Sequence, residues 1–215
     1  MPVITIRGQF GTEAAEIGEL IANRLHIDYV DRKIIAAVAE RLRSSSQGVA
    51  DKEMPPSTLL GRIAEAMGNT YIGDSAYLGV YLPTWEIPPD DTRYLAGLQE
   101  VVKELARNEN LVIQGRGSQF ILKDLPGAFH VLIVAPLEMR VQRVRENLKL
   151  SEEEARSKIA RHDKGSREFI KRYFRAEMEN PVHYDLVINT EHLGVEEAAA
   201  IVIHALPLKG KKEGP

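Results

Sequence analysis

Short β-branched runs alternate with stretches of helical periodicity along most of this chain, and that alternation restricts the fold more than any other feature. Residues 3–6 (VITI), the stretch HIDYVD ending at Asp31, and residues 111–113, 129–134 and 186–188 read as five short strands. Ala14, Ile17, Ile21 and Leu25 recur at the spacing of one helix face, so a helix is predicted from about residue 12 to 25. Ile34, Ile35, Val38 and Ala39 continue as another helix, and Leu95, Leu98, Val102 and Leu105 mark a third, stopped by the NEN turn at 108–110. A last helix is predicted over about 195–206. Parallel neighbours need long crossovers, so strands separated by helices give a parallel α/β sheet covered on both faces. Ligands of such sheets bind beyond the carboxyl ends of the strands. The loops after Ile6, Asp31, Ile113, Val134 and Ile188 therefore form the expected functional rim.

Two stretches break the alternation. Residues 44–92 carry SSSQG, MPPS and EIPPDD around a helical piece, LLGRIAEAMG, and an aromatic segment at 71–85. That is too long for a simple connection and reads as an inserted lobe, with Trp85 and its tyrosines as lobe core. Residues 151–178 open with a Ser151/Glu154 capping-box pattern and the pairs Glu152/Arg156 and Glu154/Lys158 at i, i+4. Arg161, Lys164, Arg167, Lys171, Arg172 and Arg175 then crowd it with positive charge. Residues 1–208 are expected to form a single domain, and the tail KGKKEGP at 209–215 has nothing to bury and is expected to be disordered.

Composition excludes several chemistries. With no cysteine, the chain has no thiol nucleophile, disulfide or thiolate metal site. The six histidines show no metal-ligand spacing, and no G-x-S-x-G elbow is present. A net charge of -3 argues against a nucleic-acid binder. No apolar run approaches the roughly 20 residues that span a bilayer, and MPVITIRG does not look like a signal peptide. A cytoplasmic protein is expected.

The stretch GQFGTEAAE follows the first strand directly and leads into the first helix. A helix N-terminus carries unpaired N–H groups and partial positive charge, so a Gly-rich turn ahead of it can cradle phosphate. The full pattern G-x-x-x-x-G-K-[ST] adds a lysine for the β/γ-phosphates and a hydroxyl for magnesium. Counting from Gly8, those positions hold Glu13, Ala14 and Ala15. Gly8 and Gly11 remain, while Glu13 and Glu16 can satisfy the helix dipole without a ligand. On its own the motif fits either a structural turn or an anion site. At the end of the third strand, QGRGSQF places Arg116 between two glycines, where it can clamp a phosphate or form a surface ion pair. Arg140 and Arg143 follow the fourth strand, and Arg161 and Arg167 lie in the charged segment beyond. Phosphoryl transfer asks mainly for positioned positive charge, ideally delivered by a closing lid. The arginines together favour that chemistry over a merely solvated face.

Taken together, ITIRGQFG, DYVDRKII, VIQGRGSQFILKD, HVLIVAPLEMRVQRV, LSEEEARSKIARHDKGSREFIKRYF and YDLVINTEHLGVEEA resemble the cytidylate kinase-like proteins, within the P-loop kinases. The resemblance covers most of residues 3–200 and leaves 44–92 poorly matched. It implies a P-loop NTPase-type three-layer fold with a five-stranded parallel sheet, an acceptor-side lobe at 44–92, and a lid with its following helix at 148–178. It implies ATP and Mg2+ as cofactors, with the ATP phosphates over Gly8, Gln9, Phe10, Gly11, Thr12, Glu13, Ala14 and Ala15. Arg116 aligns with the arginine that contacts the acceptor phosphate, Arg140 and Arg143 with the pair opening the lid, and Arg167 with a lid arginine. With Arg161, these are the expected catalytic residues. Departures accompany the likeness: Ala14 replaces the lysine, Ala15 the hydroxyl and Gly117 the acid of the GRD-type segment, and Gln119 stands at a second position often acidic. Arg7 and Lys164 are candidates to supply the missing charge. The expected activity is an ATP-dependent nucleoside-monophosphate kinase, with a catalytically silent nucleotide or anion sensor as the alternative. The expected partner is a small-molecule nucleotide, without nucleic acid or membrane, and a homodimer stays open.

Overall fold

The structure, a computed structural model, describes residues 2–31, 92–107 and 110–206. The helix expected at 34–39, the lobe expected at 44–92 except its last residue, Thr92, and the tail at 209–215 lie outside the described residues. Five strands form one sheet, β1 (Val3–Gly8), β2 (Asp28–Val30), β3 (Leu111–Gln114), β4 (Ala128–Val134) and β5 (Leu186–Asn189). Their order is β2-β3-β1-β4-β5, and every neighbouring pair is parallel. The described helices are α1 (Ala14–Leu25), α2 (Thr92–Arg107), α3 (Ser118–Ile121), α4 (Leu137–Leu148), α5 (Glu152–Phe174) and α6 (Val195–Ala205). No described helix is long and apolar enough to cross a membrane.

Strand alternation sorts β1 between the two faces of the sheet. Ile4 and Ile6 pack with Ile17 and Ile21 of α1 and Ala198 and Val202 of α6. Val3 turns to the other face, among Leu98 and Val102 of α2 and Phe169 and Ile170 of α5. Thr5 and Arg7 share the Val3 side by the same period. There the Thr5 hydroxyl lies 2.8 Å from Nδ1 of His130, so the buried threonine finds its partner across the β1–β4 pair. The His130 N–H donates to Asp185 Oδ2 and the Asp185 N–H to the His130 carbonyl, both at 2.8 Å, which pins β4 to the chain entering β5.

Helix α1 begins at Ala14 rather than near residue 12, because Glu13 adopts the left-handed conformation, with φ 62° and ψ 22°. The segment expected as a lid is one continuous 23-residue helix, α5. Its start is the capping box read from the sequence: the Glu154 N–H donates to Ser151 Oγ, and the Ser151 N–H donates to Glu154 Oε2 at 2.8 Å. Glu152 pairs with Arg156 at 2.9 Å, whereas Glu154 gives its carboxylate to the cap instead of Lys158. Ala155 and Ile159 anchor one end of α5 on Val141 and Val144 of α4, and Phe169 and Ile170 anchor the other in the α2-side core.

Candidate active site

A cleft of about 750 Å³ opens at the carboxyl ends of the neighbouring strands β1 and β3, where the crossover from β1 runs to β2 and that from β3 runs the opposite way, to β4. The loop from Gly8 to Ala15 forms one wall, and Arg143 of α4 with Lys158, His162 and Ser166 of α5 form the other. Arg7, Gly115 and Arg116 make the floor, and Asp31 stands at the β2 end.

The loop's amides divide into two groups. The Gln9 N–H donates to the Ile133 carbonyl and that of Thr12 to the Gln9 carbonyl, both at 3.3 Å. The Phe10 N–H donates to Asp163 Oδ1 at 3.1 Å. The Thr12 hydroxyl is also turned inward, donating to the Gln9 carbonyl at 2.8 Å. These groups were expected to hold phosphate, and they hold the loop instead. The N–H groups of Glu13, Ala14, Ala15 and Glu16, at the mouth of α1, have no internal partner in the described structure. Gly11 is required by this wrapping: at φ +87°, a Cβ there would stand 2.9 Å from both the Arg140 carbonyl and Val144 Cγ2.

The expected arginines separate by location. Arg140 is a correction: it is 6 % exposed and spent on structure. Its Nη1 donates to Asp163 Oδ2 at 2.7 Å and to the Phe10 carbonyl at 3.2 Å, and Nε donates to the Ala135 carbonyl. Arg140 and Asp163 thus grip Phe10 from both its carbonyl and its N–H, while its ring stacks on His162 with centroids 4.6 Å apart. Arg143 does line the cleft. Its guanidinium donates to the hydroxyl and carbonyl of Thr190 at 3.1 Å and meets Glu13 Oε2 at 3.0 Å. Arg116 also lines it, buried and left-handed with φ 58° between Gly115 and Gly117.

Arg161 and Arg167 stand apart from these. Both are exposed on α5 and outside the cleft, and Arg167 Nε donates to Glu179 Oε1 at 2.7 Å. The helix turns 100° per residue, so the cleft stripe is Lys158, His162 and Ser166, and Arg161 and Arg167 sit one position off it. Lys164, facing Glu168 at 3.9 Å, is likewise outside. Sequence reasoning missed Lys158, His162 and Ser166 as lining residues, although i, i+4, i+8 spacing marks them as one stripe.

Burial decides the electrostatics of the floor. It pulls the Arg7 guanidinium below its ordinary range, against the attraction of Tyr184, Asp163 and Glu179, while Arg116 repels it. Burial pushes the Tyr184 phenol up to about 12, with Arg7 opposing the shift. The Tyr184 hydroxyl donates to the Met178 carbonyl at 2.5 Å and accepts from Gln119 Nε2 at 3.1 Å. Burial also raises the Tyr29 phenol, which donates to Gln114 Oε1 at 2.6 Å.

Residues 3–192 match the cytidylate kinase-like family. The chain belongs to that family. It is 34% identical to a cytidylate kinase of Thermococcus kodakarensis over 103 residues, 48% of this chain and 52% of that protein. It is 28% identical to one from Fervidobacterium nodosum over 181 residues, 75% of this chain and 78% of that protein. The chain spans about half the length of the first of these relatives. Among solved structures it is similar to an uncharacterized protein from Eubacterium ventriosum, with TM-score 0.67, 16% identity and coverage of 96% of this chain and 99% of that one. A gluconokinase from Sinorhizobium meliloti gives TM-score 0.52 at 12% identity, covering 99% and 98%. These structures speak for the fold, the P-loop NTPase-type α/β architecture expected from the sequence.

The structure gives a physical reason for one departure of this cytidylate kinase-like chain. At Gly117, with φ +69°, a Cβ would lie 2.5 Å from Cε2 of Phe174, so the ring at the end of α5 occupies the space a side chain at 117 needs. The other acid position, Gln119, is buried and bonded to Tyr184.

Proposed function

We propose that this protein is a nucleoside-monophosphate kinase-like phosphotransferase with ATP as donor. The observation that carries the reading is a single cleft combining the orphan N–H groups of 13–16 with Arg143 and Arg116. The α1 amides and Arg143 hold the donor phosphates, and Arg116 holds the acceptor phosphate. ATP, when bound, supplies the phosphoryl group: an acceptor oxygen bonds to the terminal phosphorus as the bond to the bridging oxygen breaks, leaving ADP. Arg140 contributes by holding Phe10 and thereby the loop, not by touching phosphate. Magnesium is fitted less well. Ala15 has no hydroxyl, the Thr12 hydroxyl is committed, and no group of three acidic or histidine side chains that could hold a metal stands among the described residues. No step is assigned to a protein-held metal.

A coupled assay of ADP release over a panel of nucleoside monophosphates tests the reading. Turnover on at least one acceptor is expected, with a loss of about 10²-fold or more in Arg116→Ala, the scale of removing one donor to transferring charge. Turnover no higher than that of Arg116→Ala refutes it. One observation favours a second reading, a nucleotide sensor without turnover. The Glu13 carboxylate is paired with Arg143 at the loop mouth, and Ala14 and Ala15 supply neither lysine nor hydroxyl. Calorimetric binding of nucleotide without ADP release identifies that case.

A further inference from the structure

Arg7 is a cation that the functional reading leaves unused. It lies in the floor of the cleft, its Nη1 3.7 Å from where a Cβ on Gly115 would stand. Its side chain makes no ion pair or hydrogen bond with any described residue, and its Nε is enclosed without an acceptor. The two acids that attract it are already spent. Asp163 is divided between Arg140 and Phe10, and Glu179 receives Arg167. Tyr184 faces it as a neutral phenol, and Arg116 faces it as a like charge. An enclosed Nε without an acceptor is costly, and an anion that accepts from it and from a second N–H of the half-buried Arg7 removes that cost. Two neighbouring guanidinium groups match a doubly charged ligand better than a singly charged one.

We propose that Arg7 and Arg116 together form a seat for a phosphate-monoester dianion on the floor of the cleft. Arg7 brings from the strand beneath the loop the charge that Ala14 does not bring from the helix. This rests on the phosphotransferase reading only for the class of ligand. The monoester's second proton leaves near pH 6, so the seat binds more tightly above that pH than below it. His162 also lines the cleft, from α5. Sulfate, dianionic throughout, separates the protonation of the ligand from every pH effect that belongs to the protein.

The test is calorimetry with glycerol phosphate and with sulfate at pH 5.5 and 7.5, alongside thermal melts of the free protein, for wild type, Arg7→Met and Arg7→Lys. Wild type is expected to bind the monoester more tightly at the higher pH, with no such gain for sulfate. Arg7→Met is expected to lose tenfold or more in affinity while melting no lower than wild type, because a half-buried charge with an unmet Nε donor has been removed. Arg7→Lys is expected to keep part of the affinity. Binding within twofold of wild type in Arg7→Met, or in Arg7→Lys together with a pH-independent wild type, overturns the seat. So does a lower melting point of Arg7→Met with binding retained, which marks a structural arginine. The two readings fail separately: Arg7-dependent monoester binding without phosphoryl transfer sinks the kinase reading alone, and transfer unchanged in Arg7→Met sinks the seat alone.

Discussion

Replacing Glu13 with glycine removes two features of the loop at once, and their magnitudes are separable. At φ 62° a non-glycine residue carries strain on the order of 1 kcal/mol, which glycine does not. Against this stands the ion pair to Arg143 at 3.0 Å, with Glu13 and Arg143 side chains 29% and 18% exposed, worth about 0.5–1 kcal/mol at such partial exposure. The two nearly cancel, so the stability of Glu13→Gly is expected within about 1 kcal/mol of wild type. Anion affinity does not cancel. The substitution frees the Arg143 guanidinium for a charge-assisted hydrogen bond of roughly 1.5–3 kcal/mol and removes a carboxylate from the mouth of α1. At about 1.4 kcal/mol per factor of ten, pyrophosphate should bind at least tenfold more tightly. Glu13→Gln is the companion variant, since it discards the charge and keeps the strain. Calorimetry with pyrophosphate should show the affinity gain in both variants, and urea unfolding should show Glu13→Gly as the more stable of the two. Unchanged affinity in both would refute the claim that Glu13 competes with ligand for Arg143.

Asp163→Asn breaks a buried ion pair and leaves Arg140 charged, so unfolding free energy should fall by roughly 3–5 kcal/mol in urea titrations. The N–H of Phe10 should lose hydrogen-exchange protection in Asp163→Ala, which removes its acceptor altogether. Gly117→Ala meets both a positive φ and the Phe174 ring and should cost more than about 1 kcal/mol, with partial recovery in Gly117→Ala/Phe174→Leu. Tyr184, raised from 10.0 to about 12 by burial, is protonated in the folded chain after the unfolded chain has lost its proton. Its contribution is therefore complete below pH 10 and is lost as pH rises to about 12, and Tyr184→Phe should flatten that part of the stability curve relative to wild type.

The strands were legible because their β-branched runs are bounded by turn residues, and the start of α5 because a capping box needs only two side chains at fixed spacing. The start of α1 was not, since a left-handed glutamate leaves no signature in a sequence where glycine or asparagine is the usual marker. Arg140 and Arg143 look alike three residues apart, but only the fold shows that one reaches Asp163 beneath the loop and the other opens into the cleft. Arg161 draws attention by charge and Arg167 by its likeness to a lid arginine, and helical phase places both off the cleft stripe. Arg7, closing an apolar strand, carried no motif at all; its position emerges only when β3 brings Gly115 and Arg116 beside it.

The ring of Phe174 over Gly117 also limits how this chain can change. An aspartate reintroduced at 117, as the GRD-type segment carries, would collide with the aromatic before it could reach any base. The ring has to swing aside or position 174 has to shrink, and either change thins the packing at the end of α5. The absent acid is thus held out by a steric latch that couples the two positions.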